Sequence, residues 1–168
     1  YIIQSDKEDR NEEIIIYSRD KDFRQLVSKK VSLLTPQFEV PITIDTFREK
    51  VGHVIENELI FKCFEGDSSD KIDGVKGIKM DIKSNTLEKY IPDIRDRKYT
   101  YQELVNQCKL LQEEKKYKKN KTLEKVINAE EVLYRNAKLM NLDRPFLDKD
   151  SEEGLNELAH AHLESDRS

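Results

Sequence analysis

Two acidic pairs and a pair of glycines are the residues of this chain best suited to chemistry. Asp67 and Asp70 stand three apart directly after Gly66, so a helical turn would aim both carboxylates at one point. Asp20 and Asp22 form an Asp-x-Asp just past the aliphatic run Ile14-Ile15-Ile16-Tyr17. Paired carboxylates are hard oxygen ligands of the kind Mg²⁺ prefers. Gly74 and Gly77 bracket Val75-Lys76 and permit a tight turn whose amides reach a phosphate without side-chain obstruction. Together these groups describe metal-assisted phosphodiester chemistry. Each also has a plainer reading: Asp20 as a helix cap, and Gly-x-x-Gly as a helix stop in a polar loop.

The elements that must position these residues are legible as a pattern. The run 14–17 predicts a central strand covered on both faces, because it does not alternate. Residues 22–27 then have helical spacing, and 31–35 predict a second strand closed by Pro36. A short strand is expected across Pro41, followed by a helix carrying Phe47, Val51 and Val54, capped by Thr43 or Asp45. Residues 56–64 form the apolar helix that delivers Asp67. Residues 84–91 read as a second helix stopped by Pro92, and 101–112 and 122–140 as long helices. Tyr1-Ile2-Ile3-Gln4 reads as a last helical turn, and 152–163 as a final amphipathic helix. Strand–helix–strand at the start implies an α/β sheet edge with helices packed against it.

Composition narrows the class. The chain has 168 residues, enough for a real core, with 36% hydrophobic and 38% charged residues. Its net charge is -4, yet residues 1–70 carry -5, residues 71–147 carry +6, and residues 148–168 carry -5. A carboxylate-rich front and a basic middle suit metal binding beside nucleic-acid backbone binding. No apolar run is long enough to span a membrane, and no signal-peptide pattern opens the chain. Cys63 and Cys108 are isolated, which fits an intracellular, reducing setting and neither a disulfide framework nor a zinc site. His53, His160 and His162 have no partner at metal-ligand spacing. The run 115–121, five lysines around Tyr117, reads first as a solvated loop and second as a backbone contact.

The order Gly66-Asp67-x-x-Asp70-x-Ile72-x-Gly74-Val75-x-Gly77-Ile78 resembles the helix–three-turn–helix segment of the flap endonuclease and 5′-exonuclease family. Ser18-Arg19-Asp20-Lys21-Asp22-Phe23 is similar to that family's strand–Ser-x-Asp-x-Asp element and precedes the first motif in the family order. Two departures are visible: Lys71 stands where the family has Asn, and Lys79-Met80 where it has Gly-Pro.

The resemblance implies an α/β fold in which the edge of a PIN-like sheet precedes a mostly helical helix–three-turn–helix DNA-binding region. It divides the chain into 1–54, the end of the nuclease domain, 55–147, the DNA-binding region, and 148–168, an acidic tail. It implies two-metal hydrolysis with Mg²⁺ or Mn²⁺ of branched or RNA-primed DNA, by a monomer working with replication proteins. Asp20, Asp22, Asp67 and Asp70 would be the catalytic metal ligands. Gly74, Val75, Lys76, Gly77 and Ile78 would grip duplex phosphates, with a K⁺ ion at the hairpin. The family's more N-terminal acidic elements do not precede Ser18, so the chain is expected to be an N-terminally truncated nuclease lacking the first metal site. The rival expectations are a non-catalytic helix-hairpin-helix DNA-binding module and a PIN-like ribonuclease.

Overall fold

The computed structural model describes residues 13–142. The first element is β1, Ile14–Tyr17, which pairs in parallel with β2, Val31–Leu34, in the register Ile14 to Val31 through Tyr17 to Leu34. The crossover between them contains a 3₁₀ turn, Lys21–Leu26, where helical spacing alone predicts an ordinary helix. β1 is covered less than expected: Ile15 and Tyr17 are 63% and 69% exposed. Past Pro41 the expected short strand reduces to one antiparallel bridge from Ile42 to Leu33.

Helix α1, Phe47–Val51, buries Phe47 and Val51 against Val27, Leu33 and Ile42 in a small core. Its cap position is Thr46 rather than Thr43 or Asp45; the Thr46 hydroxyl caps no amide of the helix and instead accepts from the Thr43 amide at 3.0 Å. Helix α2, Glu58–Glu65, buries Ile60, Phe61, Cys63 and Phe64. These join a larger core with residues of α3, Tyr101–Glu113, α4, Lys121–Asn128, and α5, Glu130–Met140. The expected helix 122–140 therefore breaks at Ala129. α3 starts where expected because Thr100 Oγ1 accepts from the Glu103 amide at 3.1 Å. Asn120 does the same for α4, accepting from Thr122 and Leu123.

The expected second helix at 84–91 is a chain of turns. Its one α-type bond joins the Ile91 amide to the Leu87 carbonyl beside 3₁₀-type bonds from Glu88 and Tyr90, and Met80 bridges to Asn85. The reason is local: the Thr86 amide donates to the Lys79 carbonyl at 2.8 Å and the Lys79 amide to Thr86 Oγ1 at 2.9 Å, which closes 79–86 as a loop where a helix would start. Leu87, Ile91 and Ile94 still reach the core, so burial holds what helical bonding does not. Arg95 fastens this region by donating to the carbonyls of Gly52 and Asp81, and Asn57 by donating to those of Ile94 and Arg97. The expected turn at 1–4 and helix at 152–163 lie outside the described residues.

Between α2 and α3 sits a two-stranded antiparallel ribbon, β3, Gly66–Asp67, and β4, Ile72–Asp73. It is packed backbone to backbone. A Cβ on Gly74 would strike the Phe64 carbonyl, and one on Gly66 would strike the Gly74 amide. Buried Asn136 of α5 donates to the carbonyls of both Cys63 and Asp73 at 2.9 Å, tying the ribbon to the helical core. Gln25 ties the 3₁₀ turn to the end of α5, donating to the Met140 carbonyl and accepting from the Leu142 amide. Both acidic segments are thus anchored on α2 and α5.

Candidate metal centre

The 3₁₀ turn after β1 presents the first acidic pair. Asp20 is its cap: the Asp22 amide donates to Asp20 Oδ1 at 2.9 Å, and the Asp20 amide donates to Ser18 Oγ at 3.0 Å. Asp22 lies one residue into the turn, and its carboxylate pairs with the Lys62 ammonium of α2. The ribbon presents the second pair. Asp67 Oδ1 accepts from the Ser69 hydroxyl at 2.6 Å, the Ser69 amide at 3.0 Å and the Asp70 amide at 3.2 Å. The Ser69 hydroxyl, then the Asp70 amide, hold Asp67 below the usual carboxylate range.

Asp22, Asp67 and Asp70 each place one carboxylate oxygen within 4.8 Å of the other two. An octahedral Mg²⁺ binds oxygen at about 2.0–2.1 Å. All three are hard oxygen donors carried on two separate segments. Asp20 lies outside this group of three, its Oδ1 engaged in the cap. It stays close enough to act on Lys62 electrostatically.

Lys62 was not singled out by sequence reasoning. Burial lowers its pKa, and Asp67, Asp20 and Asp70 oppose that effect in this order. Its side chain is 12% exposed, so it is a nearly enclosed cation set among four carboxylates. The available signal was a lysine inside the apolar run 59–64. His53 and Glu58, buried and 2.5 Å apart, also line the cleft of about 880 Å³ that Asp20, Asp22 and Asp67 line.

The hairpin 74–78 follows β4 directly, and the groove it lines shares no residue with the carboxylate cleft. The Val75 amide donates to the Phe64 carbonyl at 2.8 Å and the Ile78 amide to the Val75 carbonyl at 3.2 Å. Gly77 has φ +83, and a Cβ there would sit 2.6 Å from Lys125 Nζ of α4. Gly74, Val75, Lys76, Lys121 and Lys125 help to line an open groove of about 490 Å³. The two α4 lysines were likewise missed, because only the tertiary fold brings α4 to the hairpin.

No family model matches the chain. Over 66 residues it is 42% identical to a thermostable DNA polymerase I of Thermus filiformis, covering 39% of this chain and 8% of that protein. Over 90 residues it is 36% identical to a 5′-3′ exonuclease of Mycoplasmopsis pulmonis, covering 52% of this chain and 30% of the relative. A flap endonuclease Xni of Shewanella frigidimarina is 32% identical over 78 residues, 46% of this chain and 31% of its own length. The fold matches zinc-bound T5 5′-exonuclease with a TM-score of 0.62 at 22% identity, covering 85% of this chain and 48% of that one. A bacteriophage T5 flap endonuclease in a complex with DNA and metal ions matches with the same TM-score and identity, over 85% and 47%. The chain thus spans less than half the length of each of these proteins.

Proposed function

Because the chain belongs to the 5′-nuclease family, we propose that it supplies the carboxylates and the duplex-holding hairpin of a metal-dependent 5′-3′ exonuclease or flap endonuclease. Its substrate on this reading is branched or RNA-primed DNA. The observation that carries the reading is the approach of Asp22, Asp67 and Asp70 from two segments to within 4.8 Å of one another. These three residues hold Mg²⁺ or Mn²⁺, and Asp20 adds its charge while fixing the turn that aims Asp22. The bound cation supplies neutralisation of charge on the phosphate under attack. Lys62 balances the carboxylates while no cation is present. Lys76, with Lys121 and Lys125, attracts duplex phosphates, a contact that is blind to sequence and weakens with salt.

The test is a titration of residues 1–168 with Mn²⁺, followed by electron paramagnetic resonance, for the wild type and Asp70→Asn. One site should appear in the wild type and weaken by at least about tenfold in the variant, since one hard ligand is lost. Equal Mn²⁺ affinity in the two proteins would refute the assignment. The second reading, a duplex-binding module without hydrolysis, is favoured by the lysine-lined groove at the hairpin. Mg²⁺-dependent cleavage of a 5′-flapped duplex by a protein containing this chain separates the two.

A further inference from the structure

The hairpin groove of about 490 Å³ is not shaped for phosphate alone. Val75 and Val132, both half-buried, give it an apolar lining, and Lys76, Lys121 and Lys125 are exposed along it. Glu124 also lines it, so three cations stand with one carboxylate. Among the described residues, none of the three lysines forms a salt bridge. A phosphate backbone answers the lysines but lays hydrated charge against the valines. An amphipathic segment that carries acids answers both, since an apolar stripe fills the groove and complementary charge fixes its position.

The chain itself carries such a segment. Residues 148–168 hold seven acids against two bases. On the expected helix 152–163, Leu155, Leu158, Ala159 and Leu163 recur at the spacing of one face. Asp148, Asp150 and Glu152 precede that stripe, and Glu164 and Asp166 follow it. The described residues lead up to this segment at Leu142, whose amide donates to Gln25 Oε1 at 3.1 Å. From Met140 back to Val132 is eight residues of α5, about 12 Å at the helical rise. Residues 143–151 reach about 30 Å when extended, so the segment from 152 onward can return to the groove. A short tether holds its cargo at an effective concentration on the order of millimolar, so weak contacts suffice.

We propose that residues 152–163 dock in the hairpin groove of their own chain. The leucine face lies on Val75 and Val132, and the flanking acids lie on Lys76, Lys121 and Lys125. The docked segment covers the lysines that a duplex would use, so it holds back duplex binding until phosphates outcompete it. That consequence rests on the duplex reading of the hairpin; the docking does not.

The test is paramagnetic relaxation in the 168-residue chain, with a nitroxide on Ser165→Cys and the amides observed by nuclear magnetic resonance. Cys63 and Cys108 are both buried, which leaves the added thiol as the site of labelling. Expected at low salt is broadening at Val75, Lys76, Lys125 and Val132, which is lost when Leu155→Asp and Leu158→Asp are combined. That double variant should also bind a duplex several-fold tighter in fluorescence anisotropy. Broadening at Tyr134 and Leu139, exposed side chains of α5, or no broadening at all, would overturn the groove as the docking site. Broadening passed to an isotope-labelled chain without nitroxide would assign a second copy and overturn docking within one chain. Broadening that survives saturating duplex would leave the docking standing and remove the duplex from the groove, a failure of the hairpin reading alone. Relaxation in the labelled chain decides the docking even if the double variant fails to fold.

Discussion

The carboxylate side and the hairpin side of this protein, a cleft and a groove with no lining residue in common, solve opposite electrostatic problems. On the acidic side, Asp67 is held by three hydrogen bonds, and Asp22 is paired with an almost enclosed lysine. On the basic side, Lys76, Lys121 and Lys125 are exposed, and none forms a salt bridge with a described residue. A divalent cation needs short bonds in fixed directions, so its ligands must be built in place. A phosphate backbone is a line of charge felt over a Debye length, so mobile lysines near a glycine turn suffice. Rigidity is concentrated where geometry matters.

Asn136 tests whether the two sides share one support. Asn136→Ala removes the bonds to the Cys63 and Asp73 carbonyls, of which Asp73 keeps the Arg135 guanidinium as a donor, and should cost about 1–3 kcal/mol. Urea unfolding measures it, and Mn²⁺ and duplex binding should weaken together. Loss of one without the other would show that the sides are independently held.

Lys62 tests the acidic side alone. Lys62→Gln removes the internal cation, so Mn²⁺ should bind about tenfold tighter, with duplex affinity little changed. Weaker Mn²⁺ binding would mean that Lys62 shapes the cluster rather than competing for it. On the basic side, Lys76→Ala and Lys125→Ala should each weaken all duplex sequences alike and lower the slope of log affinity against log salt by about one. A base-dependent effect in fluorescence anisotropy would contradict a phosphate contact.

A further effect is confined to alkali. Burial pushes the Cys63 thiol up to about 12 and Cys108 up to about 11, from 9.0. Both folded values lie above the unfolded one, so their contribution to stability is complete below pH 9 and is lost as pH rises through the folded values. Thermal unfolding should show a decline above pH 9 that is reduced in Cys63→Ala. Cys63 sits in α2 just before the ribbon, so this decline should affect both sides equally.

Much of this organisation is readable from residue order. Strand β1, the apolar helix α2 and the start of α3 at Tyr101 follow from local chemistry that neighbours in sequence supply. The Asp-x-Asp and Gly-Asp-x-x-Asp spacings likewise mark which carboxylates are available. The fate of 84–91 was not readable, because its apolar spacing suits both a helix and a buried run of turns. Its outcome depends on the closed loop 79–86 and on Arg95 bonding carbonyls far away in sequence.

Residue types and spacing by themselves determined the kind of chemistry this protein is equipped for, because ligand hardness, turn geometry and charge are properties of short segments. Tertiary structure alone decided which carboxylates meet. It drew Asp22 to Asp67 and Asp70, turned an Asp20 oxygen into a cap, set Lys62 among the acids and carried Lys125 to Gly77. Those placements rest on contacts between segments distant in sequence, such as Gln25 with Met140 and Asn136 with Cys63. Pairings of that kind are selected by packing and by satisfaction of buried polar groups across the whole core, which no local pattern encodes.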